Sequence, residues 1–194
     1  MPLSTHNTSL YTLGKGIMYI GLWTGTTPPT YPGDYTDVGN CPSLEVEVTE
    51  EVLDHYSSRS GTRTKDKQVT LETGYTITFD LDEVSIFNLK MFLKATQTGT
   101  TKLHANQALD QEYGVRFITD NPAGPNEVWE FWRVRLTPNG AFNLISDEWS
   151  TMSFTGEGLA DSTNHATSPY FDVTWSTTTT TSTSTSTTTT TAAP

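Results

Sequence analysis

Residues 68–80, QVTLETGYTITFD, carry the most regular hydrophobic pattern of the chain. Apolar or aromatic side chains and one threonine take the odd positions, and polar side chains with one glycine take the even positions. A period of two places these sets on opposite faces of a β-strand. The pattern predicts a long, half-buried strand whose inward face carries Val69, Leu71, Thr73, Tyr75, Ile77 and Phe79.

A second alternating segment, SLEVEV at residues 43–48, lies upstream. Its apolar positions alternate with Glu45 and Glu47, which predicts a strand with one apolar and one acidic face. The two strands flank residues 56–68, YSSRSGTRTKDKQ. We expect this stretch to form a long excursion between paired strands and not a tight turn.

Helical spacing replaces alternation in residues 80–96, where Ile86, Leu89 and Leu93 recur on one side. The spacing predicts one helix of about three turns. Its predicted entry contains Asp80, Asp82 and Glu83, with Asp80 or Asp82 as the cap, and Lys90 and Lys94 lie near its last turn, where the helix dipole favours cations. The polar residues 96–112 are expected to form a loop.

Strand patterns return in YGVRFIT, EVWEFWRVRL, AFNLISDEWSTMSFTGEGL and YFDVTW, all after residue 112. The connectors between them are rich in turn residues, and the Asn139-Gly140 pair favours a hairpin turn. These segments together predict a mainly β protein, an antiparallel β-sandwich or barrel with one α-helix packed against it.

Composition divides the chain into an N-terminal arm with the first strand at residues 1–34, a β-domain at 35–175 and a Thr/Ser-rich tail at 176–194. The tail has no charge, no aromatic and no large aliphatic residue, so it can build no core of its own. The N-terminus lacks the pattern of a signal peptide, and no segment has the apolar length needed to span a bilayer. We therefore expect a soluble chain that makes no membrane contact.

The chain carries 22 acidic and 11 basic residues, for a net charge of −11. This balance argues against a main surface that grips nucleic acid, but not against a surface that nucleic acid slides past. Four of the cations nevertheless fall close together, at Arg59, Arg63, Lys65 and Lys67. They form either a solvated loop or a basic contact for the acidic surface of another copy, which would repeat head to tail.

Motifs for catalysis are weak. The sequence has no phosphate-binding glycine loop, no metal-ligand spacing and no nucleophile elbow, so we expect no cofactor. The one cysteine, Cys41, lies beside a turn, and the four histidines are scattered. Adjacent carboxylates at 82–83 and 147–148 could be proposed as a glycosidase pair, but neighbours on a strand point to opposite faces, and capping and solvation explain them better.

Aromatic residues offer a second alternative. Five of them could form a sugar-stacking platform, although the core of a small β-domain explains them more simply. The five are Trp129, Phe131, Trp132, Phe142 and Trp149.

Residues 35–93 resemble the tail tube, or major tail, proteins of bacteriophages with long, non-contractile tails. The shared features are a DVGN start, an acidic strand that ends in L-x-H-x-SSRSG, a KD pair, a long alternating strand and an LDE helix entry. The later SDEWSTMSFTGEGL also resembles the penultimate strand of that family. The resemblance extends in order over most of residues 17–175, whereas the Thr-rich tail departs from the family pattern.

The resemblance implies a subunit without catalytic residues that closes into rings, usually of six copies, which stack into a hollow tube for genome ejection from the virion. Its partners would be copies of itself and other tail proteins, namely the tape measure, tail terminator and tail tip. DNA would pass an acidic lumen without specific binding, because like charges prevent tight phosphate contacts. The implied inter-ring contact loop contains Arg59, Ser60, Gly61, Arg63, Lys65, Asp66 and Lys67, and the candidate acidic lumen or partner surface contains Glu45, Glu47 and Glu72.

Two other functions remain open on the residues alone. A carbohydrate-binding or adhesive β-domain would use the tryptophans, and its Ser/Thr-rich tail would be a linker. A glycan-cleaving enzyme would use the carboxylates, for which no paired arrangement is evident.

Overall fold

The structure is a computed structural model and describes residues 6–59 and 61–175. Within these residues it is mainly β, with antiparallel strand pairing and one α-helix, which confirms the predicted fold class. The elements are a short 3-10 helix at Thr8–Leu10, β1 Gly16–Leu22, β2 Tyr35–Asp37, β3 Ser43–Ser57, β4 Thr64–Leu81, α1 Ile86–Phe92, β5 Thr96–Thr98, β6 Lys102–His104, β7 Tyr113–Thr119, β8 Glu127–Pro138, β9 Met152–Gly158 and β10 Phe171–Trp175. Ser60 and the predicted tail at 176–194 lie outside the described residues.

Eight strands form one sheet in the order β2-β1-β7-β8-β9-β4-β3, and β10 pairs with β8. β8 is long enough to hold two neighbours on one side, with β10 along its first half and β9 along its second half. β1 lies between β2 and β7, so the first strand belongs to the same sheet as the strands that follow it. The remaining two strands, β5 and β6, make a separate small hairpin.

The core forms on one face of this sheet, and β4 supplies its central row of side chains. Tyr75, Ile77, Phe79 and Leu81 are buried, as the alternation predicts for this half of the strand. Phe79 stacks on Phe154 of β9 with ring centroids 5.0 Å apart. The other buried apolar side chains of the cluster are Met18, Ile20, Val38, Met91, Tyr113, Val115, Phe131, Val134, Leu136 and Met152.

Helix α1 connects the β2 edge of the sheet with the turn that follows β4. Asn88 is fully buried, and its side-chain amide donates to the carbonyl oxygens of Val38, 2.8 Å away, and Glu83, 2.9 Å away. Val38 follows β2 and Glu83 follows β4, so the sheet wraps around the core to bring these ends together. β2 and β3 do not pair with each other, so the sheet is sandwich-like and open.

The helix differs from its prediction in length and in its cap. It begins only at Ile86, and the Ser85 side chain caps it by accepting the Asn88 backbone N–H at 3.0 Å. The predicted capping by Asp80 or Asp82 is therefore wrong, because β4 continues through Leu81 and the chain needs residues 82–85 to turn. Of the two predicted cations, Lys90 lies in the last turn and Lys94 lies beyond it.

Two further predictions are corrected by the structure. Residues 96–112 contain the β5–β6 hairpin and not only loop. The Asn139-Gly140 pair does not make a tight hairpin turn, because β8 and β9 are joined by a long loop at residues 139–151. The first half of the predicted strand at 141–159 lies in this loop.

Candidate interaction surfaces

The β3–β4 pair extends well beyond the core. The two strands pair from Ser43 and Asp80 to Ser57 and Thr64, with register shifts after Glu51 and after His55, whereas β9 pairs with β4 only from Thr76 onward. Residues 48–73 therefore form a two-stranded extension, which we call the projecting hairpin. At about 3.3 Å per residue it reaches about 30 Å past the sheet.

Apolar side chains are exposed on both faces of the projecting hairpin. Paired residues share a face, so the register places Val48, Val52 and Tyr56 on the side continuous with the core and Leu53 and Val69 on the opposite side. Val48 is 69% exposed and Leu53 is 59% exposed. Val69, Leu71 and Thr73 were predicted to face the core, and all three are exposed. This prediction is wrong because β9 pairs with β4 only from Thr76 onward, and because the register shift between Glu51 and Val52 turns Val69 to the opposite side.

The predicted contact loop forms the end of this hairpin. Arg59, Gly61 and Arg63 lie between β3 and β4, but Lys65 and Lys67 lie in β4, so the expected long excursion is mostly paired strand. All five are exposed, whereas the structure does not describe Ser60.

Two of the four cations contact their own chain. The Lys65 ammonium is 2.6 Å from the Asp54 carboxylate, and the Arg63 guanidinium lies 5.2 Å from the centre of the Tyr56 ring. Asp66 takes a different partner, since its carboxylate is 2.5 Å from the His55 ring nitrogen Nδ1. The charge of Lys65 is thus balanced inside the hairpin.

The three predicted acidic residues share one face with two further glutamates. Glu45 and Glu47 lie opposite Thr78 and Thr76 on the side of the sheet away from the core. Glu72 lies opposite Glu51 on that same side, and Glu157 of β9 lies beside Thr76. This acidic face consists of Glu45, Glu47, Glu51, Glu72 and Glu157, all exposed.

A second exposed apolar surface lies at the other end of β4. Met152 pairs with Leu81, so the loop that precedes Met152, residues 139–151, emerges at the end farthest from the hairpin tip. Ile145 is 98% exposed and Trp149 is 96% exposed, and Leu144 is exposed beside them. Sequence reasoning missed this surface, although the consecutive apolar pair at 144–145 breaks strand alternation and could have indicated it.

The carboxylates that were considered and set aside as a glycosidase pair have structural surroundings. The Asn40 side-chain amide donates to the Asp82 carboxylate at 2.6 Å, and the Asn40 backbone N–H donates to Glu83 at 3.0 Å. These two acids thus hold the turn between β2 and β3. Asp147 and Glu148 lie in the 139–151 loop, where both are exposed.

Cys41 and His165, which were also considered as functional groups, have structural surroundings as well. Burial raises the pKa of the Cys41 thiol to about 11. His165 stacks on Trp132 with ring centroids 3.7 Å apart. In the parts of the chain that the structure describes, no cluster of three or more His, Cys, Asp or Glu residues could hold a metal ion, and no helix is long and apolar enough to cross a membrane.

The aromatic residues divide into packed and exposed ones. Phe131 is buried in the core, and Trp129 stacks against it with centroids 6.2 Å apart. Phe142 packs against Phe92 of α1 at 5.9 Å. Trp149, in contrast, is exposed, so the five predicted aromatics do not form one platform.

Comparison with known proteins shows the family of this chain. It belongs to the family described as Protein of unknown function UCP028589, which matches residues 11–109 and 96–174. No curated protein matches the chain.

Several solved structures show a distant likeness. One is a chain of the anti-feeding prophage baseplate, at 11% identity and a TM-score of 0.45, covering 85% of this chain and 94% of that one. Another is a chain from the sheath/tube terminator of the PVC extracellular contractile injection system, at 9% identity and a TM-score of 0.41, covering 89% and 99%. A third is from the tail of an empty GTA particle, at 8% identity and a TM-score of 0.38, covering 82% and 95%. At these scores the likeness establishes neither a shared fold nor a shared function.

Proposed function

We propose that this chain is a structural subunit that assembles with copies of itself into the tail tube of a phage-like particle. The observation that carries the proposal is the projecting hairpin, which exposes apolar side chains on both faces and cations at its end. An isolated two-stranded hairpin is at best marginally stable in water. A hairpin of this length and composition is therefore suited to burial against a partner.

The open edges of the sheet also suit assembly. Among the described residues, β3 pairs with β4 alone and β2 pairs with β1 alone, so each leaves one edge of the sheet without a partner strand. An unpaired edge offers backbone N–H and C=O groups to another chain. In the proposed ring, these edges contribute the contacts between neighbouring subunits, and the family resemblance of residues 35–93 favours six subunits.

The acidic face supports a role of the proposed tube as a conduit for DNA. Its five glutamates lie on the sheet side opposite the core, where no element of the described chain covers them. In the proposed tube this face lines the lumen and repels DNA phosphates, so that the genome slides without specific binding during ejection. The tube would contact the tape measure, terminator and tip proteins within the virion tail.

The carbohydrate-binding alternative has less support. A sugar platform needs several exposed aromatic rings on one surface, whereas Phe131 is buried and Trp129 stacks against it. A glycan-cleaving enzyme is also less consistent with the structure, because Asp82 and Glu83 bond to Asn40. The proposed subunit has no catalytic role.

Electron microscopy of the purified protein tests the proposal. We expect rings or hollow tubes in negative stain, with fast-sedimenting species in analytical ultracentrifugation. A monodisperse monomer across the accessible range of protein concentration and salt would contradict it.

A further inference from the structure

The two exposed apolar surfaces lie at opposite ends of one strand. The projecting hairpin leaves the sheet at the start of β4, and the 139–151 loop emerges beside Leu81, where β4 ends. Exposed Val84 and Ile86 follow that same end of β4, at the entry to α1. The subunit therefore has an apolar projection at one end and an apolar surface at the other.

The two ends are also complementary in charge. The hairpin end carries exposed Arg59, Arg63 and Lys67. The loop carries Asp147 and Glu148 between its apolar residues, and both acids are exposed. Opposite charges on two surfaces guide their association and fix its register.

We propose that the 139–151 loop receives the projecting hairpin of a second copy of this chain. This inference rests on the proposed self-assembly and names the surface that receives the hairpin. Leu144, Ile145 and Trp149 would bury the apolar side chains near the hairpin end, while Asp147 and Glu148 would pair with its cations.

A second copy fits better than an unrelated partner, because both halves of the contact occur on this one chain. Two different surfaces of the same subunit form a heterologous contact, which adds copies in one direction without limit. The opposite placement of the two surfaces along β4 lets the contact repeat along an axis. Stacking of rings requires this arrangement.

Charge-reversal variants of the 139–151 loop and of the projecting hairpin, made first separately and then together, test the proposed contact. The loop variant Asp147→Lys/Glu148→Lys and the hairpin variant Arg59→Glu/Lys67→Glu should each raise the protein concentration needed for assembly by about tenfold or more, as loss of a central interface contact does. Combining all four substitutions should restore assembly. Asp120→Lys/Asp172→Lys, at two exposed acids elsewhere, is the matched control for the loop variant and should assemble normally.

Cross-linking tests the contact even where assembly is incomplete. In a Cys41→Ala background, a protein with Ser58→Cys is mixed with one that carries Ser146→Cys. A disulfide between the two proteins is expected, at a yield well above that of either protein alone. Ser58 lies in the hairpin loop and Ser146 in the 139–151 loop.

The outcomes separate this inference from the proposed function. Tubes that form normally from the loop variant, or a four-substitution protein that stays unassembled, would overturn the receiving role of the loop and leave self-assembly standing. A wild-type protein that remains monomeric, together with no cross-link between the two cysteine variants, would overturn both.

Discussion

Glu51 and Glu72 lie directly opposite each other across the β3–β4 pair, at the base of the projecting hairpin. Like charges in directly opposed positions destabilise a sheet. Replacing Glu72 by Gln should therefore stabilise the isolated subunit, by about 0.5 kcal/mol. Urea denaturation of the wild-type and variant proteins measures this difference.

The matched control for that change is Glu47→Gln. Glu47 lies opposite Thr76 and has no directly opposed acid, so its replacement should change stability less. A Glu72→Gln protein that is no more stable than the wild type would show that solvent screens the repulsion completely.

Gly158 is expected to be intolerant of any side chain. A Cβ at this position would lie 2.1 Å from the Tyr75 ring, which itself packs between Phe131 at 5.4 Å and Phe171 at 5.1 Å. Gly158→Ala should destabilise the fold by about 1–3 kcal/mol, as overpacking of a core does. Thermal denaturation measures the loss.

Gly61→Ala provides the control for this prediction, because a Cβ at residue 61 would meet nothing within 4 Å. The two variants carry the same added methyl group in different surroundings. Equal melting temperatures for both would contradict the packing at Gly158.

Stability should fall steeply in alkaline solution. Burial raises the pKa of Tyr35 and of Tyr113 to about 12 from the ordinary 10.0, and that of Cys41 to about 11 from 9.0. Burial also raises the pKa of Tyr75. The folded state holds these protons more tightly than the unfolded state does, so their contribution is complete below the ordinary values and is lost as the pH rises through the folded values.

Circular dichroism and tyrosinate absorbance, followed together against pH, check this expectation. We expect unfolding and ionisation of the buried tyrosines to coincide between about pH 11 and pH 12. Full ionisation of all tyrosines near pH 10 with the fold intact would contradict their burial.

Deletion of residues 176–194 should leave both folding and tube formation unchanged. These residues lack any charge, aromatic ring or large aliphatic side chain that could stabilise a core. The thermal transition and electron micrographs of the shortened chain test this prediction. Loss of tubes from a shortened protein that still folds would instead make the tail an assembly arm.

The sequence predicted β4 as a long strand correctly, but it did not predict which half of the strand is buried. The alternation of Val69 and Leu71 is the same as that of Ile77 and Phe79, and both pairs are in one strand. Only the second pair is buried, because β9 pairs with that half of β4 alone and because a register shift between Glu51 and Val52 turns Val69 away from the core side. Coverage depends on a strand more than seventy residues away along the chain, which local periodicity does not encode.

The wrong predictions for the helix cap and for the 139–151 loop have local causes. The predicted cap was an acidic residue, Asp80 or Asp82, and not Ser85. In the structure β4 continues through Leu81, and residues 82–85 connect it to α1, so the cap lies at Ser85. Residues 141–151 were interpreted as part of a strand, yet Leu144 and Ile145 are adjacent and cannot share one face of a strand. The clustered cations, in contrast, were apparent in the sequence, although Lys65 and Lys67 lie in β4 and not in the expected long loop.

The most direct test of the account removes apolar surface from the projecting hairpin alone. Leu53 and Val69 are cross-strand partners, 59% and 47% exposed. Leu109 and Val173, 54% and 40% exposed, supply a leucine and a valine outside residues 48–73 and 139–151 as the control. Circular dichroism verifies the fold of Leu53→Ser/Val69→Ser and Leu109→Ser/Val173→Ser, and sedimentation with electron microscopy measures their assembly. We predict that the hairpin variant folds but needs a protein concentration about tenfold higher to form tubes, while the control assembles like the wild type. Tubes of normal length and yield from the hairpin variant would contradict the central role of the hairpin.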